Sequence, residues 1–547
     1  MTALVGGRPP ARMPARGAGA VAGAARLARF ALHRDRVRIA VWVVALAGLI
    51  GYFGAIIPVV YPDAAARQTR AAIMREPSGA LLTGPGYGLE DYTFGVMIAN
   101  EMLGLLAVAA ALMSVFLVVR HTRAEEEVGR TDLVRAGAVG RQAPLVAALV
   151  DAVVTNAAVA VGLAVALVAN DLPPADSLAV AAGVAAVGLV FAAVAAVTAQ
   201  LTTGARAATG AAGALLALAF VLRGVGDAQQ VGGTALSWAS PIGWAQQTRA
   251  FVDLRWWPLL LPVAAAAVLV TAAFVLSGRR DVGAGLLPDR RGAAHAAGWL
   301  RAPLGLALRL ERASLVGWGV GLFGFAALTG SLTGGIVESF REQPQLAEVF
   351  GAAGGGDVVT ATLSAFLGFL SMAVAVFATV TVNRLRREEA DGRAAVVLAG
   401  AVGRPAWAGS QLAVALLGAT MLLLASGLGL GLGAAGTAGG AIVADLTLAA
   451  LAYLPVVAGF AALAALLHGA GLPAWPGWLL LVAAILVGLY GPVLDLPPAV
   501  LDVAPFALVP AVPAAALEPL PLVALTGVAV ALSAFAAAAV RRRDLRG

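Results

Sequence analysis

Long apolar runs, separated by short polar stretches rich in arginine, repeat along this chain from residue 39 to its end. Runs such as Ile39 to Val60 and Ala441 to Leu467 are long enough to cross a hydrocarbon layer, which takes about 20 apolar residues in helical form. Twelve spans are predicted. In the first half they run Ile39 to Val60, Met97 to Val119, Pro144 to Val168, Leu178 to Ala199, Ala207 to Leu222 and Pro258 to Leu276. In the second they run Ser314 to Leu332, Thr360 to Val382, Trp407 to Leu432, Ala441 to Leu467, Trp475 to Val493 and Leu522 to Val540. The pattern predicts an all-α polytopic membrane protein with 12 transmembrane helices in two parallel six-helix repeats.

Composition agrees: 60% of the 547 residues are hydrophobic and 12% charged, against about a quarter charged in ordinary soluble chains. Met1 to Ala20 has no apolar h-region and reads as a disordered cytoplasmic tail rather than a signal peptide. The absence of cysteine removes disulfides, thiolate metal sites and thiol nucleophiles. Lysine is absent too, so all 37 basic residues are arginine and a P-loop, which needs its Lys, is excluded. With the N-terminus placed in the cytoplasm, the inner segments hold 30 arginines and the outer ones 7, whereas acidic residues divide 12 inside, 15 outside and three within spans. Arginine excess marks the cytoplasmic side, so the net charge of +7 is a topology signal and no nucleic-acid partner is expected. The expected layout is residues 1–38 as cytoplasmic tail and interfacial helix, 39–276 as the first six spans, 277–313 as a cytoplasmic linker and second interfacial helix, and 314–547 as the second six spans, in the cell membrane with both termini inside.

The chain repeats itself at an offset of 263. Between Arg123 and Arg141, 12 of 19 positions are identical to those between Arg386 and Arg404, and Arg279-Arg280-Asp281 returns as Arg542-Arg543-Asp544. Ahead of the first span of each half, Asp35-Arg36 and Trp42 are echoed by Glu311-Arg312 and Trp318. Six spans per half give both copies one orientation, which implies a pseudo-twofold axis along the membrane normal. The two repeated loops carry the most chemistry. Each is dense in both charge signs and amphipathic enough for a short helix on the cytoplasmic face. Glu125 and Glu126 suit the start of a helix, and Gly129 and Gly137 allow turns or the close approach of a partner. Positive-inside sorting accounts for the arginines but not for the duplicated acids, so the loops are read as a docking place for a cytosolic partner.

The segments RHTRAEEEVGRTDLVRAGAVGR, RLRREEADGRAAVVLAGAVGR, SPIGWAQQTRAFVDLRWWPLLL and RRDVGAGLLPDRRG resemble, over essentially the whole chain, the permease subunits of ABC exporters of the polyketide-antibiotic (tetronasin-type) multidrug efflux family. The resemblance implies a non-enzymatic subunit effluxing hydrophobic drugs or antibiotics. It also implies a separate cytosolic ABC ATPase in two copies that holds the ATP and Mg, with no cofactor in this chain. The ATPase contacts it implies are Arg123, Glu125, Glu126, Gly129, Arg130 and Arg141 in the first loop and Arg386, Glu388, Glu389, Gly392, Arg393 and Arg404 in the second. One departure is visible: Ala504-Pro505-Phe506 stands where the first half has Ser240-Pro241-Ile242-Gly243-Trp244, so the two external faces need not be equivalent.

Arg26 to Phe30 and Trp299 to Arg301 open basic amphipathic segments read as interfacial. Three acids fall within spans: Glu101 and Asp445 near outer ends, and Asp151 near an inner end where a loop arginine is within reach. Membrane acids face a bundle interior or water, and a substrate or proton role for these three is the alternative expected of an ion-coupled secondary transporter. A membrane enzyme acting on lipid-linked substrates, with Glu90 and Asp91 as its acids, is a third reading that the repeat does not support. Gly427-x-Gly429-x-Gly431 reads as helix packing. His33, His121, His295 and His468 show no metal-ligand spacing.

Overall fold

The computed structural model describes residues 19–75, 77–137, 139–287, 292, 294–334, 358–490 and 504–543, and among these every regular element is a helix. Eleven are long and apolar enough to cross a membrane; the chain is a multi-pass membrane protein. It divides into two compact units, Met1–Arg291 and Gly292–Gly547.

In the first unit the long helices are α1 (Ala24–Val60), α2 (Leu103–His121), α3 (Ala143–Val168), α4 (Pro174–Leu201), α5 (Ala205–Gln229) and α6 (Leu260–Arg279). α4 is the most enclosed: Val180, Val184, Val187, Phe191 and Ala195 are all buried. It packs against α2, α3 and α6, while α1 lies along α3. A buried polar bridge, Asn156 Nδ2 to Ser114 Oγ at 2.9 Å, joins α3 to α2, and Gly188 on α4 leaves the room that Asn156 occupies.

In the second unit α7 (Pro303–Ser331), α8 (Val358–Ala390), α9 (Arg404–Ala438), α10 (Ile442–Gly469, with a 3-10 turn at Ala450–Tyr453), α11 (Trp475–Tyr490) and α12 (Pro519–Arg542) follow. α11 is shorter than the other spans, and residues 491–493 of the expected eleventh span lie outside the described residues.

The basic segment at Arg26–Phe30 forms the first turns of α1, whereas Trp299–Arg301 lies in a separate 3-10 turn that an extended Ala302 divides from the start of α7. No Gly or Pro interrupts Ala24 to Ala47, and Asp35 and Glu311 are buried in ion pairs. The helix therefore runs through.

Small residues set the closest crossing of the second unit. A methyl on Gly433 would collide with the Ala327 carbonyl, one on Gly330 with the Leu430 carbonyl, and one on Gly429 with the Phe323 carbonyl. Gly427 and Gly431 face the other way, onto the backbone of Leu446 and Val443 in α10. The glycine series is thus two packing stripes on α9, the device that lets membrane helices approach without a hydrophobic driving force.

The ends opposite the arginine-rich loops differ between units. In the first, Ser240 Oγ accepts from Ile242 N at 3.2 Å to start the short helix Pro241–Gln246, and Trp244 Nε1 donates to the Trp238 carbonyl at 2.6 Å. At the corresponding place of the second unit the described residues from Ala504 form turns, with Phe506 stacked on Phe460 at 5.9 Å.

Replacing Gly433 by Val should lower the thermal unfolding midpoint of the detergent-solubilised protein by several degrees, because overpacking a tight contact costs about 1–3 kcal/mol. Gly436→Ala, where nothing lies within 4 Å, should leave the midpoint unchanged.

Candidate coupling site at the arginine-rich loops

Each repeated loop folds as a helical extension, a glycine turn and a second short helix. In the first unit Arg123–Glu127 follows α2, Gly129 turns at φ 73°, and Arg130–Arg135 follows. In the second, α8 itself runs on through Ala390, Gly392 turns at φ 72°, and Arg393–Leu398 follows. Nothing crowds either glycine, so the positive φ, which L side chains resist, is what requires glycine there. Gly137 also lies in a turn, its N–H donating to the Val134 carbonyl at 3.3 Å, but it is not among the residues at positive φ.

The loop acids, expected to face a partner, are turned inward. Glu126 is held by Arg123 at 2.6 Å and by Arg280 at 2.5 Å. Its counterpart Glu389 is held by Arg543 at 2.7 Å. Arg141 donates to the Arg280 carbonyl, and Arg404, 263 positions on, donates to the Arg543 carbonyl at 2.6 Å. Each loop is thereby tied to the end of the last helix of its unit. Glu125 pairs with Arg34 of α1 at 2.7 Å and Arg130 at 3.4 Å; Glu388 pairs with Arg384 at 3.3 Å and Arg393 at 2.8 Å. The Glu388 hydrogen bond holds the Arg393 guanidinium above its ordinary pKa. Arg123 is buried and also donates to the carbonyls of Thr202 and Ala284, the latter at 2.8 Å, while Arg386 reaches Asn383 at 3.3 Å.

The loops present apolar side chains to the outside instead. Leu133 and Val396, again 263 apart, are each 78% exposed on the two short helices, beside exposed Arg130 and Arg393. Arg34, Arg280 and Arg543 belong to the site although the sequence pattern assigns them no role; the Arg-Arg-Asp repeat at the same offset is the signal for Arg280 and Arg543, and Arg34 has none.

The three membrane acids do not meet. Glu101 sits in a π-helical turn, Ile98–Met102, gripped by Arg70 at 2.7 Å and by the Tyr92 hydroxyl at 2.9 Å. Burial, then the Glu101 charge, raises the pKa of the Tyr92 hydroxyl, which keeps it a donor. Asp445 is exposed in the first turn of α10. Asp151 is buried on α3, and the side chain facing it is His121 at 3.3 Å rather than a loop arginine.

Helices that cross a membrane, with charged clamps gathered at one end of each unit, define a multi-pass α-helical membrane protein. Residues 26–276 and 300–541 match the family model described as multidrug efflux system permease Rv1217c, C-terminal domain. Over 544 residues the chain is 40% identical to the multidrug efflux system permease protein Rv1217c of Mycobacterium tuberculosis, covering 98% of this chain and 97% of that one. The chain belongs to this multidrug efflux permease family.

Glu126→Ala and Glu389→Ala should each speed amide exchange in the adjoining short helix, Arg130–Arg135 or Arg393–Leu398, by at least about tenfold. Stranding a largely buried arginine costs more than the ~1.4 kcal/mol that tenfold represents. Arg130→Ala, on the exposed side, should change exchange by less than about threefold; equal effects from all three would mean the carboxylates do not hold the loops.

Proposed function

We propose that this permease is the membrane subunit of an ATP-driven exporter of hydrophobic drugs or antibiotics, and that its arginine-rich loops face the cytosol and receive a separate ATPase. The observation that carries this reading is the recurrence of Leu133 and Val396 as exposed apolar side chains at equivalent positions on ionically clamped helices. A singly exposed leucine needs no explanation. Two at one offset, each on a loop tied down by the same acid and the same terminal arginine, form a repeated contact of fixed geometry.

In this reading Leu133 and Arg130, and Val396 and Arg393, touch the ATPase, whereas Glu125, Glu126, Glu388 and Glu389 transmit. A displacement of the first loop pulls α6 through Arg280 and α1 through Arg34; a displacement of the second pulls α12 through Arg543. Binding at the loops then biases a rearrangement of the helices. Two loops suit two ATPase copies, which supply the ATP and Mg site that a chain without lysine cannot build as a P-loop.

The test is purification of the full chain from its native membrane, alongside Leu133→Asp and Val396→Asp. An ATP-binding protein should accompany the wild type. Loss of an apolar anchor worth ~2 kcal/mol or more should weaken that association roughly 30-fold in each variant and abolish efflux in the double variant, at unchanged membrane levels. A chain that purifies alone and transports in a proton gradient without ATP would overturn the proposal in favour of a secondary transporter.

A further inference from the structure

Where α1, α2 and α3 meet at the arginine-rich end of the first unit, Asp35, His121 and Asp151 converge, with their ligand atoms all within 4.8 Å of one another. His121 Nε2 lies 2.6 Å from Asp35 Oδ2 and 3.3 Å from Asp151 Oδ2. One ring nitrogen thus faces two carboxylates, and a single N–H satisfies only one. Asp151 is 0% exposed and neither of its oxygens receives a hydrogen bond, a costly state for a buried charge.

The second unit shows the same place without this conflict. Glu311 is held by Arg384 at 2.7 Å, with Gln411 donating to it at 3.3 Å. Arg384 stands at the position equivalent to His121, and Val414 at that equivalent to Asp151. One carboxylate there has one permanent cation. The first unit has a second carboxylate and, in place of arginine, a side chain with a lone pair to give.

From this we infer that Asp35, His121 and Asp151 form a binding site for a zinc-class divalent transition metal. Imidazole with two carboxylates is a donor set for such ions rather than for magnesium or calcium, which take oxygen ligands. Ligands about 2 Å from a tetrahedral ion lie about 3.3 Å apart, which is the His121–Asp151 spacing; side-chain rotation at Asp35 brings in the third. Arg120 and Arg38 both bind Asp35 Oδ1, at 2.6 and 3.1 Å, which orients the carboxylate and leaves Oδ2 as the ligating atom. Their charges also oppose the dication, so the site is an exchanging one, with water completing the shell. A bound ion pins α1, α2 and α3 together at the end where Arg34 of α1 also grips Glu125.

The test uses the full chain in detergent or nanodiscs, with Zn2+ in equilibrium dialysis and Co2+ as spectroscopic probe. One Zn2+ per chain should bind saturably, raise the thermal midpoint, and compete away a visible ligand-field absorption of Co2+. Asp151→Asn should weaken binding by at least about tenfold, since even an outer-shell change costs 10- to 100-fold. The double variant His121→Arg with Asp151→Val installs the second unit's residues and should bind none while keeping its midpoint without metal. No saturable binding by wild type, the result a proton-only cluster gives, would overturn the proposal. So would unaltered binding in either variant. The readouts do not require transport, so the exporter reading can fail without affecting them.

Discussion

A carboxylate at the mouth of a helical bundle has to be neutralised before the helices around it can close, and in this permease one carboxylate per unit organises that closure. Glu126 and Glu389 accept from the arginine just beyond the last helix, Arg280 and Arg543, whose own carbonyl is capped by Arg141 and Arg404. Both ends of each loop are thereby fixed to one point, an arginine 139 and 154 positions further along the chain. The orientation of the short helices, the exposure of Leu133 and Val396, and the burial of Arg123 all follow from that point. A pair partly removed from water is strongly destabilising to break one partner at a time, so the loop moves with its unit or not at all.

Much of this was legible in the residues. Apolar run length gave the spans, because backbone groups in lipid must be satisfied within the segment and helices are the result. The constant offset of charged identities marked the loops. What the residues did not show was direction: a glutamate repeated with its neighbours looks the same whether it faces a partner or an arginine 154 positions away. Contact across that distance depends on how α2 and α6 end, and no local pattern encodes it. His121 was set aside for the same reason, since spacing along the chain says nothing about Asp35 and Asp151 arriving from two other helices. Basic amphipathic residues describe both an interfacial helix and the wet end of a long one, so the pattern at Arg26–Phe30 does not reveal that it is continuous with α1.

The two units share their clamp and differ elsewhere. The first has a helical cap built on Ser240 and Trp244 and a histidine between two carboxylates, whereas the second has turns near Phe506 and an arginine–glutamate pair. Duplication has preserved the part that binds each loop to its bundle while the remaining surfaces have been free to diverge.

The unbroken run of α1 has a mechanical consequence. Its 37 residues amount to about 55 Å at 1.5 Å per residue, well beyond the roughly 30 Å of a hydrocarbon core. With no proline before Pro58, it behaves as a stiff rod held at two points about 30 Å apart, at Arg34 by Glu125 and near Gly54, against which Asn170 just beyond α3 is lodged. Tilting such a rod by about 5° at the loop moves its far contact by about 2–3 Å, so a displacement on one side of the membrane is carried to the other rather than absorbed on the way.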